Sequence, residues 1–172
     1  MDKSRGLEFI IDAVKELAFL KLIIAGNGNH KNIIEREAAL NKNINYLGRL
    51  NYDDVLEMSF QADILFAFYD PKIPNNRYAS PNKLFESMMC GKPIIMNSET
   101  SASKIVQNEN CGITVDYGNV KSIKDALIQL KNTHIRLELG KNGRKAYETK
   151  YSWKIMEKRL LSAYTLNEDY YE

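Results

Sequence analysis

The shortages in this sequence are its first information. Two cysteines, Cys90 and Cys111, are too few for a disulfide framework or a zinc site. Both fall in apolar segments, where reduced, buried thiols are expected. No run approaches the roughly 20 apolar residues of a membrane span. Met1-Asp2-Lys3-Ser4-Arg5 is followed by no apolar stretch long enough for a signal peptide. A reducing, cytoplasmic setting is the default that follows. Neither charge dominates: 24 Lys and Arg against 22 Asp and Glu leave +2 at pH 7. That argues against a general nucleic-acid binder, whose footprint is a basic excess or stripe. His30 and His134 each read as a surface or cap residue rather than a catalyst or metal ligand. No Asp-x-Asp occurs, and Asp53-Asp54 reads as a helix cap. A Gly-x-Ser-x-Gly elbow and a Walker loop are both missing.

What is there suffices for one globular domain. The chain has 172 residues, of which 44% are hydrophobic and 27% charged. Short apolar runs alternate with amphipathic stretches. Leu7, Ile10, Ile11, Val14 and Leu17 fall at helical spacing. Strands are expected at 20–25, 45–47, 62–69, 93–97 and 112–115. Helices are expected at 30–41, 53–61, 82–90, 101–108, 119–131, 135–150 and 153–166. Residues 70–81 hold three of the four prolines and read as a loop. The domain is expected to occupy 1–166, with 167–172 a frayed acidic tail. Alternating strands and helices imply one parallel sheet, covered on both faces. Ligands then bind outside the carboxyl ends of the strands.

Two segments there could carry chemistry. Gly26-Asn27-Gly28 follows a strand and precedes a helix, where a phosphate-binding turn would sit. The dinucleotide fingerprint needs a third glycine at Lys31, so the pair alone reads as a tight turn. The second segment is Arg77-Tyr78-Ala79-Ser80-Pro81-Asn82-Lys83-Leu84-Phe85-Glu86. Ser80 is the expected N-cap and Pro81 the first helical residue. A helix start offers N–H groups and partial positive charge to an anion. Lys83 opposes that dipole, a cost easier to understand beside a phosphate. Glu86 faces the same way and could hold a ribose diol. The same spacing also describes a cap with a Lys83–Glu86 ion pair, and both readings stay open. Trp153 and the Tyr-rich end read as packing for the last helix.

The order of these pieces resembles the C-terminal, donor-binding domain of family 4, or group 1, retaining glycosyltransferases. These enzymes have two Rossmann-like domains, the GT-B architecture. The matching segments are Arg5-Gly6-Leu7-Glu8, Leu22 to Gly28, Tyr46-Leu47-Gly48-Arg49-Leu50, Gln61-Ala62-Asp63-Ile64, Ser80 to Ile95, Cys111 to Val115, Gly140 to Arg144, and Tyr151-Ser152-Trp153. The block from Lys83 to Ile95 is the specific part. The resemblance implies that Glu86 holds the nucleotide ribose. It implies that Lys83 and Asn82 face the diphosphate or donor sugar, that Arg5 contacts donor phosphates, and that Gly48, Arg49 and Leu50 line the nucleobase. Gly26, Gly28, Tyr78 and Ser80 complete the expected binding set. Lys83 and Arg5 would stabilise the leaving group without a metal or other cofactor.

Three departures from the family pattern stand out. Tyr78 occupies the place of the first glutamate of the family's pair. The family's Gly-Arg strand, which should precede Arg5, is not in the sequence, so one sheet strand is expected to be missing. The acceptor-binding N-terminal domain is not in it either. The implied function is donor binding within transfer of a sugar from a nucleoside diphosphate, such as UDP or GDP, to a glycan or lipid-linked acceptor. The acceptor would be reached through the N-terminal domain, with peripheral contact at the inner membrane face in a full enzyme. This chain alone would not turn over. Alternatives are a non-catalytic or split-gene partner docking on a separate N-terminal domain, and a sugar-nucleotide epimerase of the same architecture. An NAD-dependent dehydrogenase fits less well, because the glycine fingerprint fails.

Overall fold

The computed structural model describes residues 3–168. A short turn at Lys3–Arg5 leads into α1 (Leu7–Val14). Then follow β1 (Leu22–Ile24), α2 (Lys31–Leu40), β2 (Ile44–Tyr46), α3 (Tyr52–Gln61) and β3 (Leu65–Ala67). After them come α4 (Pro74–Tyr78), α5 (Asn82–Cys90), β4 (Ile94–Asn97), α6 (Ser103–Asn108) and β5 (Gly112–Val115). The chain closes with α7 (Val120–Gln129), α8 (Thr133–Ala146) and α9 (Trp153–Glu168). The final helix therefore takes in Asn167 and Glu168, the first two residues of the expected tail; 169–172 lie outside the described residues.

All strand pairs are parallel, as expected, but the sheet is divided. β1 pairs only with β2, and β3-β4-β5 form a second sheet. Helices cover both faces. The two-residue period of β4 shows how: Ile95 joins the core of α1 and α7, while Ile94 and Met96 join that of α5 and α6. All four residues of β4 are buried, which fits its central place in the larger sheet.

Several boundaries differ from expectation for identifiable reasons. The long apolar run at 62–69 yields only the three residues of β3. Pro93 accepts from the Leu65 N–H but has no N–H to return, so pairing starts at Ile94. Beyond Ala67 the partner of Tyr69 is the Asn97 side chain rather than backbone. The expected loop at 70–81 contains the one-turn helix α4, opened by Pro74 at a position that needs no N–H. Ser80 is not the cap of α5. Pro81 stays extended, with ψ 131°, and helical geometry begins at Asn82 without a side-chain cap. The helix expected over 135–150 is α8 followed by a wider turn at Tyr147–Tyr151.

The end of α5 is as its sequence reads. Gly91 takes φ 65°, its N–H donates to Met88 O, and the Lys92 N–H donates to Ser87 O. This paired reversal requires a left-handed residue, and glycine supplies it.

Candidate functional site

The loops after β1, β2 and β3 meet at the carboxyl edge of the strands, joined there by the start of α5. The first two are tied together: the Gly26 N–H donates to Gly48 O at 2.6 Å, and the Tyr46 hydroxyl donates to Gly26 O at 2.8 Å. Gly26 (φ 132°), Gly28 (φ 150°) and Gly48 (φ 70°) all occupy backbone conformations that favour glycine. Beside them lies a cavity of about 380 Å³ lined by Asn27, Lys31, Glu35, Tyr46, Gly48 and Arg49. Lys31 stands 3.6 Å from Glu35, an exposed ion pair on α2. Gly48 and Arg49 thus border an open pocket, while Leu50 points to a different cavity.

That second cavity, of about 820 Å³, has Arg5, Tyr69 and Lys83 in its lining. The Arg5 guanidinium lies over the Tyr69 ring, 4.5 Å from its centre. The Asp70 N–H donates to Ser4 O at 2.8 Å, which fixes the chain around Arg5 against the end of β3. Tyr69 is itself held: its N–H donates to Asn97 Oδ1 at 2.8 Å, and Asn97 Nδ2 donates back to Tyr69 O at 3.1 Å. Asn97 also donates to Glu99 Oε2, and Glu99 Oε1 accepts from the Tyr117 N–H. This network carries the position of Arg5 back to the central strand.

Glu86, half-buried on α5, faces the same region. Its charge is the main cause raising the Tyr52 hydroxyl above its ordinary range, with burial and a hydrogen bond adding to it. It also raises the Tyr69 phenol and the Cys90 thiol, where burial is the larger cause. Arg5 acts on Tyr69 in the opposite sense. Arg5, Tyr69, Tyr52 and Glu86 are therefore electrostatic neighbours. Among the described residues no ion pair joins Lys83 to Glu86.

The remaining expected residues are more dispersed. Ser80 and Asn82 are exposed at the entry to α5. Tyr78 ends α4 and is 78% exposed, so it closes no pocket here. Arg77 O accepts from the Ser101 N–H at 2.7 Å, which pins α4 to the loop after β4. The sequence reading missed Tyr52, Tyr69, Asn97 and Glu99. Asn97 had one signal, a polar residue closing an otherwise apolar strand. Trp153 does not pack as expected; it is 69% exposed on α9. Both cysteines are buried free thiols, and burial above all pushes Cys111 up to about 12. Among the described residues no group of three His, Cys, Asp or Glu side chains could hold a metal ion. No helix among them is long and apolar enough to cross a membrane.

Comparison with known proteins follows the same lines. The chain is 28% identical over 91% of its length to the GDP-mannose-dependent monoacylated alpha-(1-6)-phosphatidylinositol monomannoside mannosyltransferase of Corynebacterium glutamicum. It spans only 42% of that relative. Anabaena HepE, solved in complex with UDP-glucose, superposes over 98% of this chain and 46% of its own with a TM-score of 0.78 at 15% identity. The solved C-terminal domain of the group 1 glycosyl transferase LpcC from Francisella tularensis superposes with a TM-score of 0.74 at 17% identity. There the match covers 89% of this chain and 83% of that domain. The fold is thus that of a C-terminal GT-B domain. The family model described as glycosyl transferases group 1 matches residues 1–133, well over half of the chain, and the protein belongs to that family.

Proposed function

We propose that this domain binds the nucleoside diphosphate sugar of a retaining glycosyltransferase and stabilises the departing diphosphate. The observation that carries the reading is the placing of Arg5 and Glu86 about Tyr69 at the strand ends, with Lys83 on the lining of the same cavity as Arg5 and Tyr69. As the glycosidic bond to the donor breaks, negative charge grows on the leaving phosphate oxygen. Arg5, Lys83 and the N–H groups at the start of α5 oppose that charge without reorganising. Glu86 accepts hydrogen bonds from the ribose diol. Gly48 and Arg49 flank the base, Leu50 lines the neighbouring cavity that holds the diphosphate, and Gly26 and Gly28 let the backbone approach the donor. Asn82 and Ser80 face the sugar. Tyr78 brings no carboxylate to it. No metal or cofactor takes part in this reading. The acceptor, a glycan or a lipid-linked glycan, approaches from an N-terminal domain, so residues 1–172 bind donor and transfer nothing.

The test is a thermal-shift panel of UDP, GDP, ADP and CMP, each with a representative sugar nucleotide. A ligand at one hundred times its dissociation constant adds about 2.7 kcal/mol to folding stability. A selective rise in Tm, lost in Glu86→Ala and Lys83→Ala, is expected and names the base. Equal melting of every sample, or turnover by the chain alone, overturns the reading. A docking role on a separate N-terminal domain is favoured by one observation. Trp153, Leu160, Leu161 and Tyr164 stand exposed on α9, a face suited to burial against another domain.

A further inference from the structure

The first turn of α5 carries Lys83 and Glu86, yet its sequence gives it little local support. Helical geometry starts at Asn82 without a side-chain cap, no acidic residue lies in the first turn, and Lys83 opposes the helix dipole there. Leu84 is fully buried and fixes the depth of the turn. One buried side chain leaves the rotation of the helix open. A second contact about 100° round the axis closes it, and Phe85 stands there. Its ring centre lies 5.6 Å from that of Tyr151, with the planes tilted by 41°. Tyr151 is held in turn: its hydroxyl donates to Glu109 Oε1 at 3.0 Å. Glu109 closes α6 and its side chain is only 13% exposed. Lys150 Nζ donates to both of its oxygens, at 2.9 and 2.8 Å.

The backbone explains how Tyr151 reaches Phe85. α8 runs along α5 from the opposite end: Gly140 abuts Gly91 O, Gly143 abuts Met88, and Arg144 donates to Met89 O. The wide turn Tyr147–Tyr151 prolongs that contact, and the Ser152 N–H donates five residues back to Tyr147 O at 2.8 Å. Ser152 is extended, with ψ 151°, so Tyr151 ends the run beside the start of α5. Tyr147 and Tyr151 pack with Phe85 against the cluster of Leu84 and Met88. Wide turns of this kind are rare and frequent at functional sites. We propose that Tyr151 is a positioning residue for the donor site: anchored by Glu109, it holds through Phe85 the rotation at which α5 presents Lys83 and Glu86. This rests on the reading that those two residues bind the donor. Tyr151 acts on them through α5 and not through the ligand, since neither cavity has it among the described lining residues.

The test compares Tyr151→Leu, Tyr151→Phe, Glu109→Ala and Glu109→Gln with the unaltered chain. Affinity for UDP and for GDP is measured by calorimetry. Native-state hydrogen exchange is read at Phe85 and Glu86, against Ile95 and Met96 of β4. Tyr151→Leu removes the ring, while Tyr151→Phe and Glu109→Ala cut the hydroxyl anchor. Each is expected to weaken whichever nucleotide binds by about fivefold or more. Each should speed exchange at Phe85 and Glu86 by about tenfold and leave Ile95 and Met96 unchanged. Glu109→Gln keeps an oxygen for the Tyr151 hydroxyl and is expected to bind within about twofold of the unaltered chain. If Tyr151→Leu does not fold, the two anchor variants decide. Equal acceleration at all four amides would make Tyr151 a general packing residue and overturn the proposal. Unchanged affinity in Tyr151→Phe and Glu109→Ala overturns it too, as does a loss in Glu109→Gln as large as in Glu109→Ala. If the unaltered chain binds neither UDP nor GDP, the donor reading fails instead, and exchange at Phe85 and Glu86 alone decides whether Tyr151 holds that turn.

Discussion

Asn97 is fully buried and spends its side chain on Tyr69 and Glu99. Leucine has a similar shape but leaves the Tyr69 N–H and C=O unpaired in the interior. Asn97→Leu is expected to lose about 1–3 kcal/mol in urea unfolding. It should also weaken nucleotide binding, because Tyr69 is the platform for Arg5; unchanged stability and affinity would refute both roles. Cys111 makes a separate prediction about pH. Its thiol lies near 9 when solvated and at about 12 in the folded chain, chiefly through burial. The fold favours the protonated thiol, so this contribution is complete below pH 9 and is lost as pH rises toward 12. Tyr117, pushed up by burial from 10 to about 12, acts in the same direction. Cys111→Ala should flatten the alkaline decline measured by urea titration at successive pH values; an identical slope would show that the thiol does not contribute. Arg5, Lys83 and Glu86 stand out in the sequence as candidates because a family pattern spans them. Asn97 was not, since its partner Tyr69 lies 28 residues away and only the folded sheet brings them together.

Element by element, the sequence is most legible where a local rule decides. α5 ends at Gly91 and β5 spans Gly112–Val115, as periodicity and turn chemistry predict. It is least legible where the start or stop depends on a neighbour, as with β3, whose length is set by Pro93 and Asn97 on the next strand. The packing of α8 on α5 shows a third case. Gly140 and Gly143 lie three residues apart on α8, and no turn needs them. A side chain at Gly140 would collide with Gly91 O, and one at Gly143 would press on Cys111 and Met88. Arg144 then donates to Met89 O and, at 2.7 Å, to Glu148. The glycines therefore serve close approach of one helix to another's end. Gly140→Ala is expected to destabilise the domain by about 1–3 kcal/mol through overpacking, despite alanine's better helix propensity. Lys141→Ala, on the exposed side of the same turn, should stay within about 0.5 kcal/mol. Equal effects of the two in thermal unfolding would mean that α8 can shift away from Gly91 freely.

For the whole molecule, composition and alternation predict a parallel α/β domain, and the family pattern predicts a sheet short of one strand. What they do not convey is how the two parts hold together without that strand. β1 and β2 make a two-stranded sheet, a unit that is marginal by itself. Among the described residues no backbone ladder joins it to β3-β4-β5, so its attachment rests on an apolar cluster and on Asn43 Nδ2, which donates to Val14 O at 2.9 Å. Ile10, Ile11 and Val14 of α1 share one buried cluster with Leu22, Ile24 and Ile44 on one side and Phe68, Ile95 and Val115 on the other. α1 packs on α7, and Lys124 of α7 reaches Glu16 just beyond α1 at 2.6 Å. That ion pair is exposed enough to add little. Local stability should therefore be uneven, because an apolar contact can loosen without breaking a ladder. Native-state hydrogen exchange is expected to show the paired amides of Leu22 and Ile24 opening at least about tenfold more readily than those of Ile95 and Met96, which lie in a strand paired on both sides. If all four exchange only through global unfolding, the contacts through α1 bind the two sheets into one cooperative unit, and the division of the sheet costs the fold no local stability.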